Sequence, residues 1–262
     1  MKVGFIQFRP LFGDKNGNLQ RAIAFLEKAD AELMVLPELF DTGYIFQSRK
    51  EALELSSPIN ESTSVTELKK ICQDMNMAVV AGVAERDHDK VYNSAITILP
   101  DGSVTTYRKL HLFYKEKCWF EPGNIPIQIV EYREARIGMM ICFDWIFPEM
   151  ARSLALTGAN LICHPSNLVL PHCQNAMITR CLENRVFAIT CNRIGQEVRG
   201  QESFMFTGFS RIISPDGAVL CEGGRVKEEV GIVDINVRAA ENKRITIFND
   251  LFEDRRTEHY NL

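Results

Sequence analysis

The chain has 262 residues, of which 46% are apolar and 24% charged, ordinary proportions for a folded globular protein. This composition excludes collagen-like, low-complexity and wholly disordered chains, and at one domain per ~150 residues it leaves one to two domains. The 30 Lys and Arg against 34 Asp and Glu give a formal charge of −4. No basic stripe stands out, so electrostatics offers nothing to a nucleic-acid partner.

No run approaches the ~18 uninterrupted apolar residues of a membrane span. Arg9 and Asp14 fall where a signal peptide would carry its apolar centre. A soluble cytoplasmic protein with no membrane partner is expected. The eight cysteines include no CxxC pair, and several sit in apolar runs, such as Cys163 in LICH and Cys191 in FAITC. Free cysteine in such runs behaves as a small buried hydrophobe.

Residues 3–8 read as a buried strand and 18–28 as an amphipathic helix capped by Asn16 or Asn18. Residues 33–36 form a second strand stopped by Pro37-Glu38. Residues 64–75 are helical, with Ser62, Thr63 or Ser64 to cap them, and 78–84 are a strand. A hairpin follows, with strands at 94–99 and 104–109 and the turn Pro100-Asp101-Gly102. The second half repeats the order: a strand at 136–143, a helix at 148–157 stopped by Gly158, and a strand at 161–164 stopped by Pro165. A helix at 176–185, a strand at 186–191 and a second hairpin turning at Pro215-Asp216-Gly217 complete it.

Two copies of one strand–helix–strand–helix–hairpin unit predict an α/β fold with two mixed sheets face to face. Continuous apolar strands need cover on both faces, so helices belong outside, in a four-layer α-β-β-α sandwich with an internal pseudo-twofold repeat. No Gly/Ser- or Pro-rich linker divides the chain, so residues 1–262 are expected to form one domain. The charged and aromatic residues 249–262 are expected to dock as a tail on that domain or on a partner subunit.

In ICFDWIFPEM an apolar strand delivers Cys142 to an abrupt change of polarity, and a helix begins a few residues later. A nucleophile at such a turn stands off the sheet edge, with backbone N–H groups aimed at whatever it attacks. A lone cysteine there is more often the end of a buried strand. Glu38, after LMVLP, is either a solvated carboxylate at the sheet rim or a general base held in a cleft. Lys109, ending VTTYRKL, is by itself an ordinary exposed lysine beside Arg108. Together they carry more weight, because open α/β sheets hold ligands outside the carboxyl ends of their strands. A thiol, a carboxylate and an ammonium suffice for acyl transfer: the carboxylate takes the thiol proton and the ammonium neutralises charge developing on the substrate.

This constellation resembles the nitrilase, or carbon–nitrogen hydrolase, superfamily, and is most similar to its short nitrilases and aliphatic amidases. The resemblance runs from VGFIQF to NDLFEDRR and is carried by LMVLPELFDTGY (Glu38), YRKLHLFYKEKCWFEPG (Lys109) and GMMICFDWIFPE (Cys142). It implies a Glu38–Lys109–Cys142 triad in an αββα sandwich that forms a homodimer or higher homo-oligomer. It further implies that Glu116 positions the substrate and the lysine, and that the Phe143 backbone N–H joins Lys109 in binding the oxyanion. Asn167, in HPSNL, is implied to line the pocket. Arg180, Glu183 and Asn184, in RCLENRVF, match a family signature and are expected to form structural ion pairs behind the site.

His111 and His164 are the rival bases of a Cys–His hydrolase, yet neither segment resembles such a family. Cys163-His164 and His172-Cys173 match no common zinc-ligand spacing. Neither GxGxxG nor GxxxxGK[ST] occurs, and no metal or cofactor is expected. Phe113, Tyr114, Trp119, Phe120, Trp145 and Phe147 are candidate pocket walls, though aromatic residues serve core and interface equally well. Arg193, Arg199 and His172 are candidates to meet a charged substrate tail. The expected function is hydrolysis of a small aliphatic amide or nitrile through a Cys142 thioester. The alternatives are an N-carbamoyl amidohydrolase, an amine acyltransferase using the same triad, and a non-catalytic binding member of the fold.

Overall fold

Strands that are apolar on both faces must be covered on both sides, and this requirement layers the chain. A computed structural model describes residues 1–260. Its first half runs β1 (Lys2–Gln7), α1 (Lys15–Leu26), β2 (Leu33–Val35), α2 (Arg49–Leu55), α3 (Thr63–Met75), β3 (Ala78–Asp87), β4 (Lys90–Ile98), β5 (Val104–Arg108) and α4 (Glu116–Trp119). Then come β6 (Ile129–Tyr132), β7 (Ala135–Met139), α5 (Pro148–Leu156), β8 (Leu161–Ser166), α6 (Cys173–Asn184) and β9 (Phe187–Asn192). β10 (Ile194–Arg199), β11 (Glu202–Thr207), β12 (Arg211–Ile213), β13 (Val219–Glu222) and β14 (Glu229–Asp234) complete the strands.

Two six-stranded sheets have the orders β14-β1-β2-β3-β4-β5 and β13-β12-β9-β8-β7-β6. In the first, β1, β2 and β3 are parallel and β4 and β5 antiparallel. In the second, β7, β8 and β9 are parallel and β12 and β13 antiparallel. The repeat is therefore complete at the level of topology. The strand that follows each copy joins the other copy's sheet: β6, after the first, pairs with β7, and β14, after the second, pairs with β1.

Val3, Phe5, Leu33, Val35, Val80 and Ala95 of the first sheet share one buried cluster with Ile137, Met139, Leu161 and Ile189 of the second. The opposite face of the first sheet packs Ile6, Met34 and Val79 against Leu19 and Leu26 of α1 and Leu68 of α3. Met150 and Leu154 of α5 and Met177 and Cys181 of α6 cover the second sheet. The layers are thus α-β-β-α. Each large apolar side chain fully buried here contributes about 1.5–3 kcal/mol. Among the described residues no helix is long and apolar enough to cross a membrane.

Several boundaries differ from expectation, each for a local reason. α1 is capped by Asp14, whose side chain accepts from Gly17 N–H at 3.0 Å. Asn18 instead lies buried inside the helix and donates to the Leu11 and Asp41 carbonyls at 2.7 and 2.8 Å. β8 runs through Pro165 rather than stopping there, because β7 pairs with it only as far as Cys163. Beyond that point proline sits in effect on an edge and removes no needed donor. α6 begins at Cys173, where Gln174 is held by Thr207 Oγ1 and the Gly208 carbonyl at 3.0 and 3.2 Å. The β3–β4 turn, with His88 at φ 56°, and the β10–β11 hairpin carry no Pro-Asp-Gly signal. Of the expected tail, residues 261–262 lie outside the described residues. Phe252 packs on the core beneath Arg152 and Lys243, at 5.2 and 5.0 Å from its ring.

The expected strand 136–143 ends at Met139, and residues 142–146 form a 3₁₀ turn. Asp144 bends the chain by accepting from Ile141 N–H at 2.8 Å and from the Tyr107 hydroxyl at 2.7 Å. Cys142 adopts φ 40°, the strained geometry of an elbow. His164 Nε2 lies 2.9 Å from the Cys142 carbonyl and Nδ1 3.1 Å from Thr190 Oγ1. A carbonyl only accepts, so Nε2 carries the proton and Nδ1 accepts from the threonine. Within the first sheet, Gly82 of β3 approaches the backbone just beyond β2 so closely that a Cβ would stand 2.4 Å from Glu38 Cα.

Two stability predictions follow from this packing. Burial holds the His164 imidazole down from 6.5 to about 4. The unfolded chain therefore takes up a proton that the folded chain refuses, and stability falls as pH drops from 6.5 through about 4. That loss is worth roughly 3 kcal/mol. His164→Gln should flatten this slope in urea titrations at pH 7 and pH 4.5. Gly82→Ala should lower stability by about 1–3 kcal/mol through overpacking against backbone that cannot swing aside, read as a drop in Tm.

Candidate active site

Glu38 follows β2, Lys109 follows β5 and Cys142 follows β7, so three strand ends drawn from both sheets meet. Glu38 is 0% exposed, Lys109 1%, and Cys142 and Glu116 5% each. Lys109 Nζ donates to Glu38 Oε1 at 2.7 Å and to Glu116 Oε1 at 2.8 Å. Main-chain bonds fix the lysine: Lys109 N–H donates to the Asn93 carbonyl, and Gly123 N–H to the Lys109 carbonyl, both at 2.8 Å. The Phe113 N–H holds the other oxygen of Glu116 at 3.1 Å.

Burial works against the Lys109 charge, but Glu116 and Glu38 overcome it and hold the amine well above its ordinary range. Burial, opposed by Lys109 and aided by the Glu38 charge, pushes the Glu116 carboxyl up. Burial also pushes the Cys142 thiol well up; Glu38 reinforces this and Lys109 opposes it. Cys142 therefore rests as a thiol beside a carboxylate and a permanent cation. Its nucleophilic form requires that a neighbour take the proton.

Sequence reasoning missed a set of groups that hold this trio in place. Asn93 Nδ2 donates to Glu38 Oε1 at 2.7 Å, and the Tyr44 hydroxyl donates to Glu116 Oε1 at 2.7 Å. Burial and the Glu116 charge push the Tyr44 phenol far up, so it stays a donor. Glu197 accepts from the Tyr44 N–H at 3.1 Å and is paired with Arg193 at 2.7 Å. No motif marks Asn93, and Tyr44 sits inside the LMVLPELFDTGY segment that drew attention to Glu38.

The remaining candidates separate. Asn167 Nδ2 donates to the Glu38 carbonyl at 2.9 Å, and Asn167 borders the crevice at Cys142 with Phe113, Phe143 and Trp145. That crevice encloses about 10 Å³, the room of roughly one water. Tyr114, Trp119 and Phe120 line a neighbouring crevice over Glu116. Phe147 stacks on His111 at 3.8 Å and faces an outer groove of about 380 Å³ beyond Phe143. His111 Nδ1 lies 2.8 Å from Asp144 and His164 on a carbonyl, so neither imidazole faces the thiol. Arg180 pairs with Glu183 at 3.1 Å and donates to the Trp145 carbonyl at 3.3 Å, while Asn184 Nδ2 donates to the Arg180 carbonyl at 2.9 Å. Arg193 is buried on Glu197 and Arg199 is paired with Glu51 at 2.7 Å, so neither is free for a substrate tail. His172 is exposed at the start of α6. Among the described residues no cluster of three or more His, Cys, Asp or Glu side chains is arranged to hold a metal.

The carbon-nitrogen hydrolase family model matches residues 2–244. The chain is 44% identical to a protein of Pyrococcus abyssi named nitrilase, across 99% of each chain. It is 32% identical to an (R)-stereoselective amidase of Pseudomonas sp., across 86% of this chain and 81% of that one. Among solved structures, a carbon-nitrogen hydrolase from Helicobacter pylori G27 shares the fold with a TM-score of 0.90 at 24% identity, covering 100% of this chain and 97% of the other. A match over nearly the whole length, with a relative this similar, leaves no doubt of kinship: the chain belongs to the carbon-nitrogen hydrolase family and is an enzyme that hydrolyses carbon–nitrogen bonds.

Proposed function

We propose that the protein hydrolyses a small aliphatic amide or nitrile to a carboxylic acid and ammonia, with Cys142 as nucleophile, Glu38 as general base and acid, and Lys109 as fixed cation. The observation that carries this reading is the Lys109 ammonium. An ammonium has three donors; two are spent on Glu38 and Glu116, and the third is left for charge arising on a substrate at Cys142. Both named relatives, a nitrilase and an amidase, fit the same chemistry.

With an amide, Cys142 Sγ attacks the carbonyl carbon as the thiol proton passes to Glu38. The carbonyl electron pair moves onto oxygen, where Lys109 and the Phe143 N–H stabilise it. The C–N bond then breaks, its electron pair stays on nitrogen, and Glu38 returns the proton so that ammonia departs from a thioester. Water next gives a proton to Glu38 and attacks that thioester. The tetrahedral species expels the Cys142 sulfur, which takes its proton back from Glu38 as the carboxylic acid leaves. A nitrile first gives a thioimidate, the Glu38 proton going to nitrogen, and a water must add before ammonia can leave. Glu116 positions Lys109, and Asn167 lies against the acyl or leaving group.

The narrow crevice and its aromatic borders favour small acyl groups. Because the three roles come from both sheets, the reading takes the chain as one catalytic unit. Free cysteines throughout support a cytoplasmic setting. Ile247 and Phe248, 80% and 85% exposed, support a homodimer that covers them.

Cys142→Ala should abolish both turnover and the acyl-enzyme mass adduct; activity that persisted would remove the nucleophile assignment. Glu116→Gln should cut kcat/KM about a hundredfold by letting Lys109 shift, with the Cys142 adduct still detectable by mass spectrometry. The raised thiol also fixes a sign: labelling of Cys142 by a small neutral thiol reagent should still be accelerating past pH 9, the ordinary range of a thiol. A plateau below pH 8 would show a preformed thiolate instead.

A further inference from the structure

Three buried oxygen atoms in and around the site have no hydrogen-bond donor: Glu38 Oε2, Asn93 Oδ1 and Asn167 Oδ1. A buried acceptor without a donor costs free energy, so such atoms in a folded protein await a partner. The orientation of the Asn167 amide is settled by its surroundings. The Glu38 backbone carbonyl stands 2.9 Å from Asn167 Nδ2; turned over, the amide would set oxygen against oxygen. Asn167 Oδ1 must therefore face the other way.

Asn167 is 1% exposed and forms part of the wall of the Cys142 crevice. Its backbone favours the thiolate form of Cys142, and both residues border the same crevice, which puts Asn167 beside the thiol. The neighbouring Leu168 N–H is pinned by Asn192 Oδ1 at 2.8 Å. The side chain is thus held at both its amide nitrogen and its backbone, and the unpartnered oxygen is a fixed acceptor, not a mobile surface group.

The polarity of the crevice is consequently divided. Lys109 and the Phe143 N–H offer donors, which suit a substrate oxygen. Asn167 Oδ1 offers a lone pair, which suits a hydrogen on nitrogen. A primary amide or a carbamoyl group presents both: an oxygen that accepts, and an NH₂ that donates. A nitrile nitrogen presents only a lone pair and has no hydrogen for Asn167. We propose that Asn167 Oδ1 accepts an N–H of the scissile nitrogen, so that the site selects substrates already bearing hydrogen on that nitrogen over the corresponding nitriles.

This inference rests on the Cys142 reading above and narrows its substrate class. While the bond to Asn167 holds the nitrogen, Glu38 delivers its proton to the nitrogen lone pair, and ammonia leaves as already described. A site built to hydrogen-bond a substrate N–H discriminates strongly against an analogue that lacks it, because its own polar group is then left unpaired.

The test compares propionamide with propionitrile, recording kcat/KM for each together with the mass of any Cys142 adduct. The wild-type enzyme should favour the amide. Asn167→Ala should lower the amide-to-nitrile ratio of kcat/KM about tenfold or more. Any loss caused by freeing the Glu38 carbonyl falls on both substrates and cancels in that ratio. A wild-type preference for the nitrile or an unchanged ratio in Asn167→Ala would each overturn the proposal. Absence of a Cys142 adduct with either substrate in the wild type would instead strike the underlying nucleophile assignment, so the two failures are distinguishable.

Discussion

The Lys109 ammonium is shut in with the Glu38 and Glu116 carboxylates where water does not reach, at 2.7 and 2.8 Å. Taking three charges out of water is expensive, and only close mutual pairing with further hydrogen bonds offsets it. Each neighbour of the trio supplies part of that compensation. Asn93 donates to Glu38, Tyr44 and the Phe113 N–H donate to Glu116, and the Lys109 main chain is tied to Asn93 and Gly123. Removing one partner from such a cluster costs about 3–5 kcal/mol because the others are left buried and unpaired. The cluster therefore dictates that Glu38, Lys109 and Glu116 keep one geometry, and that geometry places a cation and a carboxylate beside Cys142.

The pseudo-twofold repeat shows how the asymmetry needed for chemistry arises on a symmetric frame. Strand registers pair Val3 with Leu33 in the first copy and Ile137 with Leu161 in the second, which makes Phe8 the counterpart of Cys142 and Glu38 the counterpart of Ser166. The first copy therefore contributes a carboxylate after β2 and a buried phenylalanine after β1. The second contributes a thiol after β7 and a hydroxyl at the last residue of β8. Neither copy holds both groups, and the exchange of β6 and β14 between the sheets fixes one copy against the other. The asparagine beyond Ser166 then reaches back to the Glu38 carbonyl.

Rigidity reaches the site from the β10–β11 hairpin, an element with no counterpart in the first copy. Arg193, stacked 4.0 Å over Phe206 and bonded to the Pro10 carbonyl, fixes Glu197. Glu197 in turn holds the backbone at Tyr44 and Ile45, and Arg199 grips the Ile45 carbonyl at 2.9 Å while pairing with Glu51. Tyr44 thereby meets Glu116 in a single orientation. Two arginines that a linear reading offers as substrate ligands are instead the clamp on a loop.

The alternation of strands and helices, the doubled unit with its Pro-Asp-Gly turns, and three segments bearing Glu38, Lys109 and Cys142 are legible along the chain. Those features are local: apolar periodicity, turn chemistry and short motifs act over a handful of neighbouring residues. Tertiary structure decided where β8 passes through Pro165, why the chain turns at Cys142, and which way Asn167 and Arg193 point. Each of these depends on a group far away in the chain, such as the end of β7, the Asp144 carboxylate held by Tyr107, or the Glu38 carbonyl. A hydrogen-bond partner more than a hundred residues distant leaves no periodic trace in the sequence, so its effect is felt only once the sheets have packed.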